Sequence, residues 1–512
     1  MLNRQQTIAT LSEEIDTLVI GGGINGAVSA SALAAHGVKV ALIEANDFAS
    51  MTSQESSNMI WGGIKYLQDF ELSLVWALCK SRNQLLNLYP NRVKEIPFVA
   101  VIGSTSPFSR GLGFLGSVAY WIFGRFQTQT PKIFSNQKLA RRFSLLNLDA
   151  AKGAIQYNDA ILLDNDSRFV YELIKTARTN GAHVINYCEM TSAQKSENGW
   201  LVTVTDKISV NTFTIRAKTI VNATGPLTRS VNEQLEIPSS NTIVISKGVH
   251  LIVPKIETKA AVLAFFDSDG RLFYVLPMHD RTVIGTTDTS TLDANVTVTD
   301  EDREFLLAQA NRCLKLEKPL TKADIIAERC GVRPLVVSNA TKVQDMNWIS
   351  LSRKHVVEHD VSNKSISIFG GKLTDCINVG EEVVEKIRLL GIDTKPAKHW
   401  VGESEPQISS ELVDLVKKFH PQSAEKLSDE LWRRHGVDSF AIADSWIEDS
   451  RNAQIIFEGL SFTVGELKYI ARNEHVYSQQ DLLRRRTPIS LLRSEVEIAD
   501  NELLQNVLKL IP

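Results

Sequence analysis

Glycines at regular spacing near the N-terminus are the first residues whose type and position suggest binding chemistry. Gly21, Gly23 and Gly26 form the pattern GxGxxG, and Glu44 follows at the end of the next apolar run. Gly21 permits a tight turn, Gly23 lets the backbone approach a pyrophosphate, and Gly26 allows a helix to pack closely on a strand. The Glu44 carboxylate can accept hydrogen bonds from ribose hydroxyls, and its charge disfavours a 2′-phosphate. These four residues predict a dinucleotide-binding turn.

The neighbouring segments predict the elements that such a turn needs. An apolar run at 17–20 is typical of a buried parallel strand, small residues at 27–35 predict a helix, and 38–43 predicts a second strand. A glycine-rich turn without a ligand is the alternative interpretation. The order of strand, turn, helix, strand and terminal acid favours dinucleotide binding, but it leaves open whether the dinucleotide is FAD or NAD.

Three later segments favour a flavin. Small hydroxyls and paired glycines at 52–66 suit a loop beside a pyrophosphate and an isoalloxazine ring, and 219–226 is a strand running into an Ala-Thr-Gly turn. At 365–374 a strand enters a helix through Gly370 and Gly371, and the N-terminus of that helix would stabilise the negative charge of a reduced flavin. Each segment alone could be an ordinary turn, but the three together predict FAD. The residues expected to bind FAD are Gly21, Gly23, Ile24, Asn25, Gly26, Glu44, Thr52, Ser53, Ser57, Gly62, Gly63, Ala223, Thr224, Gly225, Gly371, Lys372, Leu373 and Thr374.

Length, charge and cysteine usage exclude several other classes of protein. A chain of 512 residues predicts two or three domains, and a net charge of −3 argues against a nucleic-acid-binding protein. Five scattered cysteines without a CxxC pair argue against a disulfide framework or a metal site and fit a reducing compartment. Neither a signal-like N-terminus nor an apolar stretch of about 20 residues is found. We therefore expect a cytoplasmic protein without a bound metal.

These motifs, taken in order, resemble those of the FAD-dependent glycerol-3-phosphate dehydrogenases of the quinone-linked respiratory type. The resemblance covers nearly the whole chain and includes a C-terminal helical region. The segments that carry it are 19–27, Ser56-Ser57, Gly62-Gly63 with Tyr66, 221–226, 247–250, 285–288, 331–335, Ser352-Arg353, 369–374, 466–469 and 485–487.

Three positions depart from the family pattern. Trp61 stands where the family usually has His, Lys65 where it has Arg, and Asn58 where it has Lys. A lysine at position 65 keeps the positive charge but loses the two-pronged guanidinium contact with an oxyanion. The departures lie near the expected flavin and substrate, so they bear on the substrate more than on the cofactor.

The resemblance implies oxidation of sn-glycerol 3-phosphate to dihydroxyacetone phosphate, with the C2 hydride passing to flavin N5 and the electrons then passing to a quinone. A phosphate-bearing substrate needs fixed cations, and the candidates are Arg333, Arg353, Lys372 and Lys65. Arg333 lies between Gly331-Val332 and Pro334, a rigid setting for a side chain aimed at a pocket. The alternative interpretation of each cation is a surface or interdomain salt bridge.

His250 is the candidate base, or the residue that orients the substrate hydroxyl, because histidine titrates near neutral pH. A strand histidine hydrogen-bonded within the core is the alternative. Tyr66 either orients the substrate or the flavin, or packs in the core. With Arg333, His250 forms the expected catalytic pair, while Lys65, Tyr66, Arg353 and Lys372 complete the expected substrate site.

The sequence predicts an α/β protein with three domains. A two-dinucleotide-fold, Rossmann-like FAD domain comprises 1–90, 155–245 and 345–395, and an α+β substrate domain with an antiparallel sheet comprises 91–154 and 246–344. Strands are expected at 261–266, 272–276 and 282–285. A C-terminal α-helical domain comprises 396–512 and includes an amphipathic segment at 411–419.

An apolar, aromatic segment at 107–126 is flanked by arginines and could lie in a lipid interface. Arg141, Arg142 and the run 484–486 could add attraction to anionic lipid. A core helix with solvated charges is the alternative, but the resemblance favours peripheral association with the cytoplasmic face of a membrane. The expected partners are thus a phosphorylated polyol, a quinone and a membrane surface, without nucleic acid, and a homodimer stays open.

Two other functions remain open from the sequence. The first is a flavin dehydrogenase or oxidase acting on a different polyol phosphate, a 2-hydroxy acid or an amine, which Trp61 and Lys65 favour. The second is a non-catalytic flavin-binding interaction protein, against which the retained Arg333, Arg353 and Lys372 argue.

Overall fold

A computed structural model describes residues 4–267, 270–339, 354–405 and 407–512. It contains two large sheets and a helical C-terminal region, so the predicted fold class is confirmed. The strands are β1 Glu14–Ile20, β2 Val40–Ile43, β3 Met59–Ile60, β4 Val93–Gly103, β5 Lys132–Phe134, β6 Ala151–Leu162, β7 His183–Ile185, β8 Cys188–Ser196, β9 Gly199–Asp206, β10 Thr212–Asn222, β11 Asn241–Pro254, β12 Val262–Phe266, β13 Leu272–Met278, β14 Arg281–Gly285, β15 Thr289–Thr291, β16 Ala327–Ser338, β17 Val356–Asp360 and β18 Ser365–Phe369.

Helices cover the sheets and form the C-terminal region. They are α1 Arg4–Thr10, α2 Ile24–Ala35, α3 Leu72–Leu88, α4 Arg110–Phe123, α5 Asn136–Arg142, α6 Asp166–Thr179, α7 Thr228–Gln234, α8 Asp300–Cys313, α9 Cys376–Leu389, α10 Ser410–Lys417, α11 Ala424–His435, α12 Asp438–Glu448, α13 Val464–Asn473, α14 Ile489–Leu492, α15 Glu495–Asp500 and α16 Glu502–Leu508.

The first sheet is built around the predicted N-terminal strand. Its strands run in the order β17-β18-β10-β1-β2-β7, and β1 pairs in parallel with both β2 and β10. The central strands are apolar because both faces are covered, as in other parallel sheets. Helix α2 packs against α6 and α9, and its small residues permit that close approach. The carboxyl ends of β1 and β10 therefore meet beside the N-terminus of α2.

The second sheet is mostly antiparallel, with the order β15-β11-β14-β13-β12-β4-β6-β3, and β16 pairs with β11. The three strands predicted at 261–285 are β12, β13 and β14. Strand β6 crosses the predicted boundary at 154/155 and stays in this sheet up to Leu162, because it pairs with β4 along its length. The division of the chain into three domains remains a prediction.

The C-terminal region packs its helices around apolar clusters centred on Trp446 and Leu467. A π-helical segment, Asp481–Arg486, carries the three consecutive arginines that were expected to attract lipid. That expectation is wrong, because all three side chains are buried and ion-paired with carboxylates of this chain. Among the described residues, no helix combines the length and apolar character needed to cross a membrane.

Candidate functional site

Two adjoining cavities lie between the sheets. The first, which we call the dinucleotide cavity, is bounded by the glycine turn, the loop after β2, the turn after β10 and the turn after β18. Its lining residues are Gly21, Gly23, Ile24, Asn25, Glu44, Ala49, Ser50, Met51, Thr52, Ser53, Ala223, Thr224, Gly225, Pro226, Pro334, Gly370 and Gly371. The second, which we call the ring cavity, shares Ile24, Thr52, Ser53, Pro334 and Gly371 with it and extends to β11, β13 and β16.

The glycine turn has the geometry that its sequence predicted. A Cβ atom on Gly21 would lie 2.7 Å from the Ala223 carbonyl oxygen, and one on Gly26 would lie 1.8 Å from the Gly21 carbonyl oxygen. The turn after β10 and helix α2 therefore approach the backbone of Gly21 too closely for a side chain. Gly23 is the N-cap of α2, and Gly23, Ile24 and Asn25 at this helix N-terminus line the cavity.

Glu44 ends β2 and turns its carboxylate back to the glycine turn. Its Oε2 accepts the Gly22 N–H at 2.6 Å, and its Oε1 accepts the Asn46 N–H at 2.8 Å. Burial raises the pKa of the Glu44 carboxyl, although both backbone donors oppose that shift. The carboxylate is thus held at the rim of the dinucleotide cavity.

Strand register places the catalytic candidates on one face of the second sheet. His250 and Gly248 of β11 alternate with core residues, and Gly248 lies opposite Gly331 of β16. Arg333 is two residues further along β16, on the same face. A Cβ atom on Gly248 would lie 2.4 Å from Arg333 Nη2, so this glycine makes room for the guanidinium. The side chains of His250 and Arg333 therefore both line the ring cavity.

The Arg333 guanidinium is oriented by the loop after β14. Its Nη2 donates to Thr286 Oγ1 at 2.7 Å, and its Nη1 donates to the Thr287 carbonyl and to Asp288 Oδ1, each at 3.2 Å. The side chain is partly exposed to the cavity. Its position is fixed by several hydrogen bonds, as anion recognition requires.

His250 is buried and neutral. Burial first, and then the positive charges of Arg333 and Arg329, lower the pKa of His250 to about 3. Among the described residues, its Nδ1 has no hydrogen-bond partner. The neutral imidazole is one of the groups that line the ring cavity.

Lys372 sits on an aromatic platform formed by Trp61 and Tyr66. Its Nζ donates to Tyr66 Oη at 2.8 Å, and lies 4.4 Å from the Tyr66 ring centroid and 5.5 Å from that of Trp61. Cation–π contacts of this kind favour the charged ammonium. Trp61 and Lys65 both line the ring cavity, so two of the three departures from the family pattern lie at the cavity itself.

Asn58, the third departure, has a structural partner. Its Oδ1 accepts a hydrogen bond from Arg329 Nη1 at 3.2 Å, and its Nδ2 donates to the Asp164 carbonyl at 3.1 Å. Arg329 is a buried cation that also contacts the Ser56 carbonyl. A lysine at position 58 would bring a second positive charge against Arg329, which accounts for the neutral amide here.

The structure brings most of the predicted site residues to the two cavities. Thr52, Ser53, Ser57, Lys65, His250, Arg333, Lys372, Leu373, Thr374 and the residues of the turn at 223–225 all line them. Three predicted cofactor residues lie outside both linings. Gly26 packs on Gly21, Gly62 packs against Tyr120 and Cys79, and Gly63 adopts a left-handed conformation against Tyr66. Arg353 lies outside the described residues.

Sequence reasoning did not single out several cavity residues. Arg271, which immediately precedes β13, Tyr274 of β13, and Asp288 of the loop after β14 line the ring cavity, as does Glu55. The Arg271 Nη1 donates to the Asp288 carbonyl at 3.1 Å. No local motif marks an arginine just before a strand, and Arg271 meets the loop after β14 through the tertiary structure.

The residues present fit FAD. Glycines without room for Cβ line a cleft at the N-terminus of a helix, where a pyrophosphate is favoured. Asn25 Nδ2 donates to the Gly370 carbonyl at 2.9 Å. Its buried Oδ1 has no partner within the described part of the chain and offers an acceptor to a ligand hydroxyl or N–H. The dinucleotide cavity also opens into a second cavity lined by aromatic and cationic side chains, as a flavin ring and its substrate require.

Comparison with known proteins agrees with this geometry. Residues 16–350 match the family model described as FAD dependent oxidoreductase. A probable mitochondrial glycerol-3-phosphate dehydrogenase of Dictyostelium discoideum is 29% identical over 530 residues, which cover 97% of this chain and 81% of that protein. A glycerol-3-phosphate dehydrogenase of Synechocystis sp. is 31% identical over 392 residues, covering 73% of this chain and 69% of that protein.

A solved structure is similar over almost the whole length. The glycerol-3-phosphate dehydrogenase from Bacillus halodurans, determined in complex with FAD, superposes with a TM-score of 0.74 at 25% identity and covers 97% of this chain and 90% of its own. The residues of the dinucleotide cavity, the matched family model and these relatives agree on the cofactor, so the chain binds FAD. It belongs to the FAD-dependent oxidoreductases and, among them, to the glycerol-3-phosphate dehydrogenase family.

Proposed function

We propose that this chain oxidises sn-glycerol 3-phosphate to dihydroxyacetone phosphate. One observation carries the proposal: the neutral imidazole of His250 and the cations Arg333 and Lys372 line a single cavity beside the dinucleotide cradle. A neutral imidazole suits removal of a proton from an alcohol, and fixed cations suit a phosphate. The glycerol-3-phosphate dehydrogenases among the relatives support this choice of substrate.

We assign the binding of FAD to residues of three segments. The glycine turn with the N-terminus of α2 would hold the pyrophosphate, Glu44 would accept hydrogen bonds from the ribose, and the segment 371–374 before α9 would lie beside the ring. FAD, when bound, supplies the two-electron acceptor of the reaction. The remaining chemistry falls to side chains of the ring cavity.

The substrate phosphate is bound by cations. Arg333 offers N–H donors in a fixed fork, and the loop after β14 already orients that fork. Lys372 and Lys65 line the same cavity and add positive charge. Binding of a dianion near Arg333 competes with Asp288, whose Oδ1 lies 3.2 Å from Arg333 Nη1. A substrate without a charged group would have to leave that ion pair in place.

His250 accepts the proton of the substrate hydroxyl in this proposal. Its neutral form is the one able to accept, and its Nδ1 makes no hydrogen bond to the described residues that would have to be broken. Burial of the imidazole among cations disfavours a second positive charge before the substrate arrives. The anionic phosphate would offset that cationic field, so the imidazole becomes a better base when substrate is bound.

Trp61 and Lys65 differ from the residues usual in the family, but the ring cavity keeps its positive charge. The Trp61 ring, where the family usually has a histidine, supports the Lys372 ammonium at 5.5 Å. Lys65, where the family usually has an arginine, retains a positive charge in the cavity lining. We therefore expect the substrate still to carry a phosphate. We expect it to bind with lower affinity than in family members with an arginine at this position, because one guanidinium group is missing.

A panel of electron donors tests the proposal. The purified FAD-loaded protein is assayed with an artificial acceptor and with sn-glycerol 3-phosphate, glycerol, a 2-hydroxy acid, glycine and a second polyol phosphate. We expect kcat/KM for sn-glycerol 3-phosphate to exceed that for glycerol by at least a hundredfold, since only the phosphate uses the cations. A higher kcat/KM for another electron donor would identify that donor as the substrate instead. A flavin that no donor reduces would favour a non-catalytic binding protein.

We further propose a quinone as the electron acceptor and peripheral contact with a membrane. An exposed apolar surface supports this, and it comprises Phe70, Leu72, Trp76, Leu112, Leu115, Ile122 and Phe126. Phe70 is 83% exposed and Leu115 is 65% exposed, and the helices α3 and α4, which carry or flank these residues, contact one another. Arg125 lies 5.8 Å from the Trp76 ring, so a cation accompanies the apolar groups, as at a lipid interface.

A further inference from the structure

The loop 47–55 connects β2 to the ring cavity and is part of the FAD site. Its residues 49–53 line the dinucleotide cavity. Ala49 donates its N–H to the Gly22 carbonyl at 3.0 Å, and Ser53 Oγ accepts the Ile24 N–H at 3.0 Å. The loop is therefore hydrogen-bonded to both ends of the glycine turn, and its conformation determines the shape of the cradle.

The first residue of this loop is held by two arginines from the far end of the chain. Asp47 is buried, and its Oδ2 accepts from Arg485 Nε at 2.6 Å and from Arg486 Nη1 at 2.9 Å. Arg486 Nη2 donates to Asp47 Oδ1 at 2.7 Å. Burial acts to raise the pKa of the Asp47 carboxyl, but the charges and hydrogen bonds of Arg486 and Arg485 outweigh it and lower the pKa below its ordinary value. The carboxylate stays charged and paired.

The last residues of the loop are held by the same segment. Arg484 Nη2 donates to the Gln54 carbonyl, and the Arg484 guanidinium lies 3.5 Å from Glu55 Oε1. Arg485 Nη1 donates to Gln54 Oε1 at 3.3 Å. Three consecutive arginines thus contact both ends of the loop 47–55.

The arginines are themselves anchored in the C-terminal region. Arg486 Nε donates to the Glu474 carbonyl at 2.8 Å, and Arg485 Nη2 donates to Asp481 Oδ1 at 2.6 Å. The Glu474 carboxylate in turn pairs with Arg168 of α6. The π-helical segment Asp481–Arg486 therefore fixes the three guanidinium groups relative to the FAD site.

We propose that Arg485 and Arg486 are positioning residues for FAD, through which the C-terminal helical region holds the loop 47–55 in the conformation that cradles the dinucleotide. Because coupling between two equilibria is reciprocal, bound FAD must also stabilise the docking of the segment 481–487. The C-terminal region then contributes to cofactor retention without touching the cofactor.

Titration of the apoprotein with FAD tests the first half of this coupling. We expect Arg485→Gln to weaken FAD binding at least tenfold, and Arg486→Gln to weaken it more, because Arg486 makes two of the contacts with Asp47. Lys175→Gln is the matched control, since it removes an ion pair to Asp438 that joins α6 to the same C-terminal region away from the loop. The control should bind FAD as the wild type does.

Amide hydrogen exchange of the unsubstituted protein tests the second half and needs no variant. We expect FAD to slow exchange in 481–487 as well as in 47–55, although the former segment lies outside the lining of the dinucleotide cavity. If Arg486→Gln does not fold, Arg485→Gln and the exchange measurement still decide. Either of two results would overturn the proposal. One is an FAD dissociation constant of Arg485→Gln within twofold of the wild-type value, and the other is an amide exchange rate in 481–487 that is the same with and without FAD. Both readouts concern FAD binding, so they are independent of whether sn-glycerol 3-phosphate is the substrate.

Discussion

At the scale of single residues, the proposed chemistry depends on one neutral imidazole among cations. His250 combines burial, a pKa lowered to about 3 and a buried ring nitrogen, Nδ1, that has no hydrogen-bond partner among the described residues. Arg333 is close enough to contribute to that lowered pKa, so the proposed phosphate-binding charge and the proposed proton acceptor influence one another. A substrate that brings negative charge to Arg333 would therefore also make His250 more basic. This coupling is the physical reason to expect a phosphorylated alcohol rather than a neutral one.

Replacing His250 with asparagine should slow reduction of the bound flavin by sn-glycerol 3-phosphate about a hundredfold or more, since a positioned base contributes roughly that factor. The rate constant is measured by anaerobic stopped-flow absorbance. Affinity for FAD should stay unchanged, and His359→Asn, at an exposed position on β17, is the matched control. A His250→Asn enzyme that is reduced at the wild-type rate would remove the proposed role.

Replacing Arg333 with lysine should lower kcat/KM for sn-glycerol 3-phosphate by about 10- to 150-fold. Hydrogen bonds to charged groups contribute about 1.5–3 kcal/mol. A lysine ammonium cannot keep the contacts with Thr286 and Asp288 and also hydrogen-bond a phosphate. Arg229→Lys, on the exposed face of α7, controls for the substitution itself. Equal kcat/KM values for the wild type and Arg333→Lys would show that the phosphate binds elsewhere.

At the scale of elements, the N-terminus of α9 is fixed by a buried ionic cluster behind the segment 371–374. The His355 ring bonds Asp375 Oδ2 at 2.6 Å and Glu382 Oε2 at 3.0 Å. Although burial acts to lower it, hydrogen bonds and charges of the two carboxylates raise the pKa of His355 to about 9. A charged imidazolium therefore joins β17 to the start of α9 at neutral pH.

This cluster makes stability depend on pH in a defined window. Because the pKa of His355 is higher in the folded state than its ordinary value of about 6.5, its contribution is fully present below about pH 6.5 and is lost as the pH rises through about 9. We expect His355→Gln to lose on the order of 2 kcal/mol of unfolding free energy at pH 6 and much less at pH 10. Urea unfolding of both proteins across that range measures the difference. A difference that stays constant with pH would refute the charged state of His355.

Local patterns predicted those elements whose neighbours in the fold are also neighbours in the chain. The strand, turn and helix around Gly21 fall into this class, and so do the hairpin strands β12, β13 and β14. The end of the second-sheet segment near Leu162 could not be predicted, because it depends on pairing of β6 with β4. Arg271 was missed for a similar reason, since it reaches the cavity only through the tertiary arrangement of β13 and the loop after β14.

At the scale of the whole molecule, contacts between segments distant in sequence determine whether a charged side chain is exposed or buried in an ion pair. The run 484–486 has the composition of a lipid-binding patch, yet Arg486 reaches Asp47 across a separation of 439 residues and is buried there. Periodicity and local charge cannot reveal such a pairing. The apolar surface around Leu115, by contrast, has no covering element among the described residues, so its exposure can be tested directly.

Membrane contact through that surface predicts a specific loss on substitution. Leu112→Asp and Leu115→Asp together should reduce binding to anionic phospholipid vesicles at least tenfold, because two exposed apolar side chains of α4 would no longer enter the interface. Val210→Asp, at an equally exposed apolar position on another part of the surface, is the matched control. Sedimentation with vesicles measures binding, and equal sedimentation of the double variant and the wild type would refute the proposed surface.

The central claim is that one cavity combines FAD, a phosphate-binding cation set and a proton acceptor for sn-glycerol 3-phosphate. Anaerobic mixing of the FAD-loaded protein with that compound tests it most directly, with flavin absorbance followed in time and the product identified. We predict that the flavin is bleached rapidly, with one dihydroxyacetone phosphate formed per flavin, while glycerol at the same concentration leaves it oxidised. A flavin that dithionite reduces but sn-glycerol 3-phosphate does not would contradict the claim.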